Sequence, residues 1–207
     1  MPEDQVAEQL FTAAIFAAKK HQGQGRKDQR GSPYITHPLT VARTLWKIGG
    51  VRESSTLVAA ILHDTLEDTP TTPAEIRDHF GSDILSIVLE VTDDKTLDKM
   101  ERKRLQVLHA PEISLPAKLI KLGDKLTNCR DILDSPPNGW PLLRRQHYIQ
   151  WAADVIAGIR GVNPPLENAF DRMLFEAENH LQFSIQPFTT VNQRPWAPHP
   201  SANSPKE

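Results

Sequence analysis

The sequence predicts an all-α protein. Every strong apolar pattern in its 207 residues has a helical period, and no segment alternates for long enough to make a strand. Helix-start residues and prolines stand where these patterns open, and glycines stand where several of them end.

The first helix is expected at about residues 4–20, with Val6, Leu10, Phe11, Ala14, Ile15 and Ala18 as its apolar stripe. Residues 21–33 are polar, basic and rich in Gly, so they read as a loop. A second helix follows, with His37 at its N-terminus. Pro38 suits its first turn, Val41, Ala42, Leu45 and Trp46 give its stripe, and Gly49-Gly50 stops it. Ser54 or Ser55 caps a third helix. Thr72-Pro73-Ala74-Glu75 is a capping box that opens a short helix, and Gly81 ends it. Ile84, Leu85, Ile87, Val88 and Val91 mark a buried helix, which residues 92–96 break. A charged helix spans about 98–109 and a long one about 114–133. Two more span about 141–159 and 164–181. The expected architecture is one bundle of eight to ten helices over residues 1–181. Residues 182–207 hold five prolines and few aliphatics, a tail that cannot build a core of its own. Phe188 and Trp196 are its candidate docking residues.

The third helix carries the stretch around which the chain is organised. Leu57, Val58, Ile61 and Leu62 lie at buried-helix spacing, and then His63, Asp64, Glu67 and Asp68 follow within six positions. Burying four ionisable groups unpaired is costly, and a metal ion offsets that cost. On a continuous helix Glu67 lies at i+4 from His63 and i+3 from Asp64, on the same side. One His beside one Asp also fits a plain surface helix end, so further ligands are required.

Composition narrows the classes. A hydrophobic fraction of 39% and a charged fraction of 24% fit an ordinary globular protein. A formal net charge of −2 gives no electrostatic case for nucleic-acid binding. No apolar run approaches the ~20 residues that span a bilayer, and the acidic N-terminus lacks a signal-peptide core. Cys129 is the single cysteine, so no internal disulfide forms. These features favour a cytoplasmic protein without nucleic-acid or membrane partners. No feature of the sequence fixes an oligomeric state.

The long helix supplies more ligands. Leu119, Leu122, Leu126, Cys129 and Leu133 form its core face, and Asp124 and Asn128 share a face beside it. Alone, that pair reads as a solvated, salt-bridged face. Set beside His37 and His63-Asp64, Asp124 completes two imidazoles and two carboxylates from three helices. Such a mixed N/O set suits Mn²⁺, Fe²⁺ or Zn²⁺ and leaves positions open for water and substrate. Glu67 and Asp68 stand next to it. One of them can accept a proton or orient water while a metal polarises a phosphate.

A spaced His, an adjacent His-Asp pair and a distal Asp resemble the HD phosphohydrolase superfamily. The flanking segments are closer to one branch. Arg26-Lys27, Tyr34-Ile35-Thr36-His37-Pro38, His63 to Thr69, Phe80-Gly81, Val91 to Lys95 and Lys118 to Asn128 resemble the hydrolase domain of RelA/SpoT alarmone enzymes. Glu101-Arg102-Lys103, and Gly139-Trp140 through Trp151-Ala152, are similar to the small stand-alone members such as the metazoan SpoT homologue. The resemblance covers about residues 5–180. It implies a helical HD-domain bundle and Mn²⁺-dependent removal of the 3′-pyrophosphate of ppGpp or pppGpp, leaving GDP or GTP. It implies metal ligands at His37, His63, Asp64 and Asp124, and a catalytic acidic pair at Glu67 and Asp68. It places nucleotide contacts at Arg26, Lys27, Tyr34, Asn128, Arg144 and Tyr148. Gly123 departs from the family's usual Ala, with close packing and no lost function expected. The tail has no counterpart in the short members, and the chain has no room for a synthetase domain. Lys95 and Arg102 read as surface ion pairs. Two alternatives stay open. One is another phosphohydrolase, such as an NADPH 2′-phosphatase. The other is a nucleotide sensor without catalysis, against which the intact acidic and imidazole set argues.

Overall fold

A computed structural model describes residues 3–28, 31–188 and 194. In chain order the helices are α1 (Glu3–Lys20), α2 (Thr36–Lys47), α3 (Ser54–Leu62), the single turn α4 (Thr65–Asp68) and α5 (Pro73–Phe80). They continue with α6 (Ser82–Val91), α7 (Lys99–His109), α8 (Leu115–Asp134), α9 (Leu142–Ala157) and α10 (Pro164–Leu181). Among the described residues there is no strand beyond a single bridge between Gly25 and Pro33. The all-α expectation holds.

Helix α3 lies at the centre. It packs on α1, α2, α6 and α8, and every residue from Thr56 to Leu62 is buried. A helix apolar on all sides is stable only when enclosed in this way. The predicted capping box is present, and two further helices are capped by side chains. Thr72 and Glu75 form both bonds of the capping box. Asp98 accepts from the N–H groups of Met100 and Glu101, and Ser114 accepts from Ala117. The third helix differs. Ser54 is its first helical residue, Glu53 precedes it, and no side-chain cap bond forms there.

The apolar stripe of α1 is rotated from its predicted position. On α1 the core takes Ala13 and Ala17, with Leu10, Ala14 and Phe16 half-buried, whereas Phe11 is 69% and Ile15 57% exposed. Close approach to the enclosed α3 selects small residues at the contact, and the large ones turn outward. On α2, Val41, Ala42 and Leu45 are buried as expected. Trp46 stays 45% exposed, with the Arg52 guanidinium over its ring.

Residues 182–188 and Arg194 dock against the helices. Gln182 takes a left-handed conformation that ends α10, and Phe183 and Ile185 pack against the core. The Gln186 N–H donates to Gln150 Oε1 at 2.7 Å, and Gln150 Nε2 returns a bond to the Gln186 carbonyl at 3.1 Å. Arg194 reaches Asp154 on α9 at 2.6 Å. Phe188 is half exposed beneath Arg194, and Trp196 lies outside the described residues. Among the described residues, no helix is long and apolar enough to cross a membrane.

Candidate active site

The central stretch is not one continuous helix. His63 and Asp64 form a break between α3 and α4. Two side chains take the local carbonyls: His63 Nδ1 bonds the Ala60 carbonyl at 2.8 Å and Thr65 Oγ1 bonds that of Leu62 at 2.6 Å. Such side-chain bonds compete with the helical ladder. The break lets the two adjacent side chains converge.

His37 comes from the first turn of α2, where its N–H bonds the Tyr34 carbonyl at 2.9 Å. Asp124 comes from α8, which packs on α2. His37 Nε2 lies 3.1 Å from Asp124 Oδ1 and 3.8 Å from Asp64 Oδ2. His63 Nε2 lies 3.1 Å from Asp64 Oδ2 and 3.8 Å from Asp124 Oδ1. Imidazole and carboxylate thus alternate around one small space, and the donor atoms of His37, His63 and Asp124 all lie within 4.8 Å of one another.

The donor set fits a divalent metal. Two donors at right angles on an ion with bonds of about 2.1 Å lie about 3.0 Å apart, close to the shorter contacts here. The His63 Nδ1–H donates to the Ala60 carbonyl, so in the neutral imidazole Nε2 is the nitrogen that would face a metal. That Nε2 is buried with no hydrogen-bond partner. Burial pulls the His63 imidazole down, but Asp64 and then Asp124 outweigh it and raise it to about 9. Burial opposes ionisation of Asp64 and Asp124 too, yet His63 and His37 hold the first carboxyl low, and Lys125 and His37 hold the second well below its usual range. The space favours positive charge.

The surrounding groups orient these ligands. Asn128 Nδ2 donates to Asp124 Oδ1 at 2.6 Å, and Lys125 Nζ lies 3.0 Å from Asp124 Oδ2. Tyr34 donates its hydroxyl to Asp64 at 2.6 Å and lies 3.3 Å from Asp68. Burial and then Asp64 raise the Tyr34 phenol far above its ordinary value, so it remains a donor. Both residues were expected at the nucleotide, and both also grip metal-ligand candidates.

Glu67 faces a cavity of about 150 Å³ together with His37, His63, Asp64 and Asp124. Burial, then the Asp93 charge, pushes its carboxyl up to about 7. Its oxygens accept from the Asp93 N–H at 3.2 Å and from Arg102 at 3.4 Å. Asp68 pairs with Lys95. Lys95 and Arg102 therefore do form ion pairs, and their partners are the two acidic residues beside the donor set.

A larger cleft of about 750 Å³ adjoins the first cavity, sharing Tyr34, His37 and Asn128 with it. Arg26, Lys27 and Tyr148 line this cleft, as does Trp140. Arg26 is paired with Asp131, and Lys27 is exposed. Their loop is tied down: Arg26 N–H bonds the Ser32 carbonyl at 2.8 Å, and the Lys27 carbonyl accepts from Asn138 at 3.0 Å. Arg144 stacks on Trp140, 4.2 Å from the ring centre, and does not itself line the cleft.

Sequence reasoning missed the part played by α7. Burial, then Arg144 and Lys27, lowers the Lys99 ammonium, which places these cations in one electropositive zone. Lys103 lies over the Tyr148 and Trp151 rings. The i,i+4 spacing of Lys99 and Lys103 was the available signal, and it is indistinguishable from a solvated face.

Comparison with known proteins places the chain in a family. The HD domain family matches residues 13–152. A Xenopus tropicalis protein named guanosine-3′,5′-bis(diphosphate) 3′-pyrophosphohydrolase MESH1 is 55% identical over 81% of this chain and 93% of its own. The chain is an HD-domain protein of the MESH1 family. The human MESH1 protein is 53% identical over 81% of this chain and 93% of its own. A solved structure of a metazoan SpoT ortholog, described as hydrolysing ppGpp and acting in starvation responses, superposes with a TM-score of 0.79. It is 41% identical and covers 81% of this chain and 94% of the other. The alternating His/Asp set lies within the span that the HD family matches.

Proposed function

We propose that this chain removes the 3′-pyrophosphate of ppGpp and pppGpp, releasing inorganic pyrophosphate and GDP or GTP. The carrying observation is the His37–Asp64–His63–Asp124 ring beside Glu67, in a chain 55% identical to a named MESH1 hydrolase. In this reading residues 1–181 form the catalytic domain and residues 182–207 a tail, of which Gln186 and Arg194 bond to α9.

His37, His63, Asp64 and Asp124 would hold one divalent ion, Mn²⁺ by family likeness, which supplies Lewis-acid polarisation of phosphate and water. The remaining steps belong to the chain. Lys27, with Arg26 and Arg144, attracts the polyphosphate, and Tyr148 and Trp140 offer ring faces to the nucleoside. Asn128 and Tyr34 keep Asp124 and Asp64 turned toward the donor space. Glu67, held near neutrality, takes the proton of the attacking water. Asp68, tethered by Lys95, assists at the cleft side. Water adds to the phosphorus on the ribose 3′ oxygen, the P–O3′ bond breaks, and the proton that Glu67 accepted passes to the departing 3′ oxygen.

The test is product identification with ppGpp and NADPH side by side, before and after chelation. Pyrophosphate and GDP from ppGpp, lost on chelation and restored by Mn²⁺, are expected. Faster release of phosphate from NADPH than of pyrophosphate from ppGpp favours the 2′-phosphatase alternative. Binding of both nucleotides without turnover favours the sensor.

A further inference from the structure

Glu67 is held from one side by two residues one turn apart on α7. Arg102 reaches Glu67 Oε1 directly at 3.4 Å, a long contact that defines orientation weakly. The second hold is indirect and tighter. Gln106 Nε2 donates to both Asp93 oxygens, at 2.9 and 2.7 Å, and the Asp93 backbone N–H donates to Glu67 Oε2 at 3.2 Å. Asp93 follows the end of α6 in an irregular segment, where nothing in the helical ladder fixes its backbone. Gln106 holds the Asp93 side chain at both carboxylate oxygens.

Gln106 is kept there at a cost. Its Oε1 is buried without a hydrogen-bond partner, which is unfavourable for any acceptor. Gln106 also lines the small cavity that Glu67 shares with the donor set. A buried amide that leaves one end unsatisfied in order to grip a carboxylate with the other is serving that carboxylate.

We propose that Gln106 is a positioning residue: by clamping Asp93 it aims the Asp93 N–H at Glu67 and so sets the carboxylate that receives the proton of water. This rests on the catalytic reading of Glu67 above. A misplacement of about 1 Å at a reacting group costs as much as 10²-fold in rate, so loss of the clamp is expected to lower kcat about tenfold.

The experiment is a double-mutant cycle on the metal-loaded full chain. Gln106→Met keeps length and removes the donor. Expected are kcat down about tenfold, KM and metal content within about twofold of wild type, and less than a twofold further loss when Gln106→Met is added to Glu67→Gln. Should Gln106→Met melt far below wild type, Gln106→Asn, which shortens the reach, carries the same expectation. A drop in kcat in Glu67→Gln with none in Gln106→Met overturns the inference alone. An undiminished kcat in Glu67→Gln overturns the catalytic reading of Glu67 and the inference with it. Equal losses from Gln106→Met in both backgrounds also overturn the inference, since the effect would not pass through Glu67.

Discussion

Tyr34→Phe separates two roles that one side chain combines. The hydroxyl donates to Asp64 Oδ2 at 2.6 Å, and the ring is held by His21 and His37 at centroid distances of 4.8 and 6.0 Å. Phenylalanine keeps those ring contacts and removes one O–H. A hydrogen bond to an ionised acceptor contributes about 1.5–3 kcal/mol. At 1.4 kcal/mol per factor of ten, that is roughly 10–150-fold. Loss of an outer partner of a metal-ligating carboxylate typically costs about 10–100-fold in metal affinity. The two estimates overlap, so the Mn²⁺ dissociation constant of Tyr34→Phe should rise about 10–100-fold. The assay is Mn²⁺ competition against a chelator of known affinity, with KM for ppGpp measured separately at saturating metal. KM should stay within about threefold. An unchanged Mn²⁺ affinity with a raised KM would refute the reasoning and return Tyr34 to the nucleotide contact that the sequence suggested.

Three further outcomes follow from packing and charge. Arg194→Leu removes the Arg194 partner of buried Asp154, while Gln150 still donates to it. A loss of about 3–5 kcal/mol is expected, a fall in melting temperature of about 6–20 °C; an unchanged melting curve would show that the Arg194–Asp154 pair adds nothing to stability. A Cβ at Gly123 would stand 2.9 Å from Cδ2 of fully buried Leu45. Overpacking of about 1–3 kcal/mol outweighs the gain of about 1 kcal/mol in helix propensity, so Gly123→Ala should melt slightly lower, and a higher melting temperature would contradict the packing argument. Burial, then Lys99 and Lys125, pushes the Lys103 ammonium down to about 8. Between about pH 8 and the ordinary lysine value near 10.4 the unfolded chain binds more protons at this residue, so its contribution to stability rises with pH there. Melting temperatures at pH 7.5 and 9.5 should show a smaller rise in Lys103→Met than in wild type, and an equal rise would refute the assignment.

Much of the fold was legible because its signals are local. The Thr72–Glu75 box and the Gly81 that ends its helix each act within one turn of chain. The donor set was legible because imidazoles and carboxylates beside an aliphatic run demand compensation, and His37, His63, Asp64 and Asp124 do converge. What was hidden depends on partners distant in sequence. Ala13 and Ala17 face the core instead of Phe11 and Ile15 because α3 approaches closely. Gln150 and Asp154 are buried because Gln186 and Arg194 return to cover them. Asn128 and Tyr34 could be placed near the site by spacing, but only the assembled helices reveal that they hold Asp124 and Asp64. Gln106 gave no signal at all in a charged helix.

The most direct test of the account is a Mn²⁺ titration of chelated full-length protein, with bound metal and pyrophosphate release from ppGpp measured on the same samples. Turnover should track occupancy and saturate at one ion per chain, and His63→Ala should show neither tight binding nor turnover. Pyrophosphate release from the metal-free protein, or full occupancy and turnover in His63→Ala, would contradict it.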